Sequence, residues 1–262
     1  MTTLAYAVRD SRTMLRRNLK HMLRYPSLTI MLIAQPVLFL LLFVYVFGGT
    51  MGAGLPGGGG RDAYLGYVAP AILVITVSSV ALSIAIYAAK DATEGIIDRF
   101  RTMPIARSSV LTGLVAAAVV QTAFAVTVVL GLALALGYRP DAGVPGWLGA
   151  IGILTLLAIA LTWLCVALGL AAGSVETASN TPMFLMIMPF LSSAFVPTDS
   201  MSTGLAWVAE HQPFTPVIDT LRAFLDGRDP GSDAVWAIGW CLLVTVLCFA
   251  WSRRLFSKVR AG

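Results

Sequence analysis

The sequence predicts an all-α, polytopic membrane protein with six transmembrane helices, and three observations point there. The 262 residues are 58% hydrophobic and 12% charged, about half the charge of an ordinary soluble domain. Six apolar stretches are each long enough, or nearly so, to cross roughly 30 Å of hydrocarbon, which takes roughly 20 helical residues. Basic residues flank those stretches instead of forming a patch. The net charge of +5 therefore reads as a topology signal, and nucleic-acid binding is excluded.

The first 26 residues read as an amphipathic helix. At about 100° per residue, Leu4, Val8, Leu15, Leu19 and Met22 share an arc of roughly 60°, and Arg9, Arg12, Arg16, Arg17, Lys20 and Arg24 lie opposite. Such a helix lies along the inner leaflet, as an anchor drawn to anionic lipid or as a working part. Tyr25-Pro26 then breaks it. No cleavable signal peptide is expected, since the first apolar run, from about Leu28, is too long for one.

The six spans are expected at 28–48, 64–89, 109–137, 147–173, 180–197 and 234–252. The fifth is short and should bend at Pro182 and Pro189. The stretch "GLAWVAEHQPFTPVIDTLRAFL" from Gly204 carries Glu210, His211, Asp219, Arg222, Pro213 and Pro216, too costly at bilayer depth for a seventh span. It reads as two short interfacial or re-entrant helices within an extracytoplasmic segment, 199–226. With the amino terminus inside, six basic residues precede the first span, four lie at 90–108 and four follow the last span, leaving Arg61, Arg139, Arg222 and Arg228 outside. Both termini are thus cytoplasmic, in the inner membrane. "GLPGGGG" at Gly54–Gly60 is an outer loop; no Lys-Ser/Thr follows it, so it is not a phosphate loop.

Residues 91–103 carry the sharpest signal. Ile96, Phe100 and Met103 share one helical face, Asp91, Glu94, Asp98 and Arg101 another, and Pro104 ends the helix. The loop 90–108 sets four basic residues against three acidic ones, whereas a helix that only sought lipid would be strongly basic. An apolar ridge with mixed charge suits a protein cleft; a solvated or membrane-skimming helix is the alternative. The chain has no ATP site of its own, since none of its lysines, Lys20, Lys90 and Lys258, follows a glycine.

None of the six spans contains Asp, Glu, Lys, Arg or His, which argues against ion coupling and against an intramembrane enzyme. Cys165, Cys241 and Cys248 lie in apolar stretches without metal-ligand spacing and read as packing residues. Neutral polar residues remain: Gln35, Ser79, Ser83, Gln121, Asn180, Ser192 and Ser193 are the candidates for a sparse substrate path. The competing role for each is a bond to its own backbone or to a neighbouring helix. "GLAAG", Gly169 to Gly173, has the spacing of a close helix seam, and "LVAAAVV" from Leu114 adds small residues.

"EGIIDRFRTMPIARSSVLTG" from Glu94, with "SSAFVPTDSM" from Ser192 and "HQPFTPVIDTLR" from His211, resembles the type-2 ABC exporter permeases, in particular the daunorubicin/doxorubicin-resistance antibiotic efflux membrane subunits. The resemblance runs over essentially the whole chain in segment order. Thr198 and Ser200 depart from it at positions often richer in proline. It implies a non-enzymatic efflux permease, with no cofactor in this chain, partnered by two ABC ATPase subunits that hold ATP and Mg and by a second permease copy or a related permease. Residues 1–26 would be the connecting helix and 91–103 the cytoplasmic coupling helix, with Glu94, Gly95, Ile96, Asp98, Arg99, Phe100, Arg101, Met103, Pro104 and Arg107 meeting the ATPase. The cargo would be a hydrophobic or amphipathic drug or lipid. A stand-alone secondary carrier or passive channel, or a scaffold without transport, is the competing class.

Overall fold

A computed structural model describes residues 26–55, 58–94 and 107–258. The expected connecting helix, save Pro26, and residues 95–103 of the expected coupling helix lie outside them. Among the described residues the chain is all-helical. Helix α1 (Pro26–Leu42) passes through one π-helical turn (Phe43–Phe47) into α2 (Gly48–Ala53), and α3 (Gly60–Thr93), α4 (Arg107–Ala135) and α5 (Val144–Ala171) follow. After α6 (Val175–Asn180) come a 3-10 turn (Thr181–Met183), α7 (Phe184–Ile187) and two further 3-10 turns (Met188–Leu191 and Thr198–Ser200). Two short helices, α8 (Thr203–His211) and α9 (Phe214–Leu225), lead to α10 (Gly231–Lys258).

Among the described residues, five helices are long and apolar enough to cross a membrane: Ile30–Ala53, Gly60–Thr93, Leu111–Ala135, Val144–Ala171 and Gly231–Phe256. Each falls on an expected span. The fifth expected span, 180–197, is instead a chain of short pieces. Pro182 and Pro189 each stand second in a 3-10 turn, because a proline has no N–H to give and its ring clashes with the preceding turn.

α3 is the hub. Its most apolar stretch is 78% buried, against 17% for the first and last of the five helices. Its neighbours read off a simple direction rule. Gly169 of α5 lies so close to α3 that a Cβ there would sit 2.3 Å from the Ala85 carbonyl oxygen, and the two residues lie equally far along their helices. Trp163 of α5 meets Phe249 of α10 edge to face at 4.9 Å, again at matching depth. So α3, α5 and α10 run parallel. Because α5 and α10 point the same way, the chain between them must travel back along the bundle, and 175–197 does so beside α3. Met186 faces Ser79 (Oγ to Sδ 3.6 Å), Ser193 meets Tyr67, and Phe195 meets Tyr64. Twelve to fifteen residues of α3 separate these contacts, roughly 18–22 Å of travel.

Of the "GLAAG" seam, Gly169 makes the close approach and Gly173 has nothing near it. α9 closes the end of the bundle at which α3 and α5 begin. Its Val217, Ile218, Leu221 and Leu225 enter the main core, and Gly146 of α5 passes so near that a Cβ would meet the Phe224 carbonyl oxygen at 2.5 Å.

Candidate functional site

The candidate substrate-path residues do not converge. Gln35 and Asn180 are exposed. Ser79 and Ser83 donate to the Ile75 and Val80 carbonyls of their own helix, as Thr76, Ser78 and Thr127 do within theirs. Gln121 is buried on α4. A hydroxyl bonded to the preceding turn is satisfied without a neighbour; Ser79 alone of these also faces another element, at Met186 Sδ. Among the expected coupling residues, Glu94 follows α3, its N–H bonded to the Lys90 carbonyl and its carboxylate 3.8 Å from Lys90 Nζ. Arg107 opens α4. Gly95, Ile96, Asp98, Arg99, Phe100, Arg101, Met103 and Pro104 lie outside the described residues. α3 runs through Thr93, so the first three residues of the expected coupling helix belong to α3 instead.

Ser192 and Ser193 sit where the returning segment ends, and there a polar cluster is built. The Ser192 hydroxyl donates to the Pro189 carbonyl and accepts the Ala194 N–H at 3.1 Å, fixing the turn. Ser193 points its hydroxyl at Asp219 Oδ1, 2.9 Å away on α9. Its own carbonyl accepts from the Tyr67 hydroxyl at 2.7 Å and from Arg222 Nη2 at 3.1 Å. Arg222 pairs with Asp219 three residues before it, donates to the Tyr67 carbonyl at 3.2 Å and lies 3.9 Å from the centre of the Tyr67 ring. One guanidinium therefore joins α3, α9 and the returning segment.

The Arg222 side chain is 12% exposed and that of Asp219 29%. Burial raises the Asp219 carboxyl above its ordinary range, while Arg222 and the Ser193 hydroxyl pull it back down. Beside the clamp opens a cleft of about 610 Å³ lined by Tyr67, Ser193, Asp199, Asp219, Arg222, Asp226 and Arg228 among others. Arg228 pairs with Asp226 at 2.6 Å. On its other side the same turn carries rings. Phe195 stacks on Phe43 at 4.1 Å and on Phe190 at 4.9 Å, and Phe39 meets Phe190 edge to face at 5.5 Å. Phe43 opens the π-helical turn, a break of a kind that recurs at functional sites.

The model of the ABC-2 type transporter family matches residues 9–225. The chain belongs to that family. It is 27% identical over 242 residues to the daunorubicin resistance ABC transporter permease protein of Streptomyces coeruleorubidus, covering 92% of this chain and 82% of that one. It is 24% identical over 188 residues to the probable doxorubicin resistance ABC transporter permease protein of Mycobacterium tuberculosis, covering 72% of this chain and 68% of the relative. The ABC-2 assignment and the apolar helices make this a multi-pass membrane permease.

Sequence reasoning missed Tyr67, Asp219 and Arg222 as site residues. One signal was available: opposite charges three apart, Asp219 and Arg222, inside the otherwise apolar "VIDTLRAFL".

Proposed function

We propose that this ABC-2 family chain is the membrane permease subunit of an ATP-driven exporter that moves hydrophobic or amphipathic compounds out of the cytoplasm or inner leaflet. The observation that carries the reading is the return of 175–197 through the bundle. In this reading the segment is the sixth crossing, broken at Pro182 and Pro189, and it places both termini on the cytoplasmic side, as the basic residues also require. Broken backbone at membrane depth is tolerated where it is covered by protein or lines a cavity, not where it faces lipid. The exposed side of this crossing would then face the pathway, at an interface with a second permease.

The Arg222 clamp anchors the outer end of that crossing to α3 and α9, with 199–226 as the re-entrant cap. Residues 91–103 would seat on a separate ATPase subunit, two per complex, that supplies ATP and Mg. Motion there reaches the crossing through α3, which borders the loop and packs along the broken segment. The cargo class is taken from the relatives' resistance to daunorubicin and doxorubicin. Inverted membrane vesicles containing the chain and its ATPase subunit should accumulate daunorubicin when ATP is added, and not with a non-hydrolysable analogue. Accumulation that proceeds equally without ATP would replace this reading with a passive carrier.

A further inference from the structure

We propose that the end of α10 at Arg253 and Arg254 is a binding site for an anionic phospholipid, the apolar stripe before it taking an acyl chain and the two guanidiniums the phosphate. The inference needs only that the chain sits in a membrane, and it goes beyond the export reading.

Depth places the arginines. Between Asp233 and Arg253 α10 carries no charged residue, and that length of helix spans about 30 Å, the thickness of the hydrocarbon. Trp236 and Trp251 stand just inside its two ends, 64% and 41% exposed, where indole rings settle at a membrane boundary. Arg253 and Arg254 therefore sit at the level of the lipid phosphates. Direction then joins them to the stripe. At about 100° per residue, Leu243, Val246, Leu247 and Ala250 share an arc of roughly 100°, and all four are exposed, while Cys241, Cys248, Ser252 and Phe256 turn to the core. The two arginines fall on either side of Ala250, about 60° and 40° away from it and one turn further on. An acyl chain along the stripe thus crosses its smallest side chain and arrives between two positive charges.

The charge is held ready. Both arginines are exposed, and the sole acidic residue of α10, Asp233, lies at its far end. Arg253 rests 5.6 Å from the centre of the Phe249 ring, which itself meets Trp163 of α5 edge to face. It enters no ion pair among the described residues. A guanidinium laid over a ring by its face keeps its N–H edges for phosphate oxygens. A second copy is a poorer occupant of this face. Two copies related by an axis normal to the membrane bring residues of equal depth together, so arginine would meet arginine.

The full chain, purified in detergent without any ATPase, is titrated with anionic dioleoylphosphatidylglycerol and, separately, with zwitterionic dioleoylphosphatidylcholine, and bound lipid is counted by native mass spectrometry. Wild type should hold the anionic lipid about five- to twentyfold more tightly, since each arginine beside an anionic headgroup is worth about fivefold. R253Q/R254Q should lose about fivefold or more for the anionic lipid and nothing for the zwitterionic one. R253K/R254K should keep most of the preference, and R139Q, at the other end of the bundle, all of it. A250F, which fills the gap between the arginines, should weaken both lipids. Equal affinity of wild type for the two lipids, or an R253Q/R254Q chain that keeps the preference, overturns the proposal. So does displacement of the anionic lipid by inorganic phosphate, which would make this a bare anion site. An A250F chain that changes oligomeric size at unaltered lipid binding also overturns it, since the stripe then covers a second copy. Lipid preference retained with no ATP-driven accumulation of daunorubicin in vesicles would fault the export reading and leave this site standing.

Discussion

Replacing Arg222 by alanine removes, in one step, an ion pair to Asp219, hydrogen bonds to the Tyr67 and Ser193 carbonyls and the contact with the Tyr67 ring. Removing one partner of a buried pair costs about 3–5 kcal/mol because the other charge is stranded. Asp219 is 29% exposed and can regain water, so the lower end applies, about 3 kcal/mol. For a chain of this size that corresponds to a fall in Tm of about 6–10 °C, readable from tryptophan fluorescence on heating in detergent. Arg222→Lys should lose about half as much, because an ammonium keeps a point charge but not the fork that reaches two carbonyls and a carboxylate together. Adding Asp219→Asn to Arg222→Ala should recover part of the loss by removing the stranded charge. A Tm for Arg222→Ala within about 1 °C of wild type would refute the clamp, since that shift is too small for even one such bond.

Gly169→Leu should destabilise the α3–α5 contact by about 2–3 kcal/mol, and Gly173→Leu, with open space around it, should leave Tm unchanged. The raised carboxyl of Asp219 gives a pH test: the folded chain holds this proton more tightly than the unfolded one, so the group's stabilisation is present below its ordinary value of 3.8 and is lost as pH rises through the folded value. The Tm of wild type minus that of Asp219→Asn should therefore increase on going from about pH 7 to about pH 4. Phe100→Ala should release the ATPase subunit at normal permease abundance, by about 2 kcal/mol of binding or more. Asp98→Arg should weaken docking further at low salt than at high; unchanged association in both variants would leave 91–103 as a membrane-skimming loop.

The long helices were legible because each is an unbroken apolar run between polar ends, and a run of that length has one cheap solution in lipid. Their limits moved by only a few residues; α3 began four residues early and ended four late because Arg61, Asp62, Lys90 and Asp91 can extend a helix beyond hydrocarbon without entering it. The returning segment was harder. Composition marked 180–197 as apolar and its two prolines as bends, but whether they bend a helix or break it depends on the neighbours that satisfy the freed backbone. The clamp was least legible. Tyr67 hides in an apolar run, and its partner Ser193 lies 126 residues away, a pairing that no local pattern encodes. Asp219 and Arg222 were set aside as too polar for the bilayer, when their polarity is what the turn at Ser193 requires. Ser79 and Ser83 differ again: each donates to a carbonyl of its own helix, and Ser79 also faces Met186 of the returning segment, contacts that no local pattern announces.

The proposed crossing by 175–197 decides the rest: the topology and the exposed face assigned to the pathway both follow from it. With Cys165, Cys241 and Cys248 replaced, Gly173→Cys and Ser200→Cys place single thiols just before and just after that segment, at positions exposed in the fold. A membrane-impermeant maleimide applied to intact cells should label Ser200→Cys and spare Gly173→Cys, with the pattern reversed in inverted vesicles. Labelling of both thiols from the same side would contradict the account, because 175–197 would then not cross the membrane.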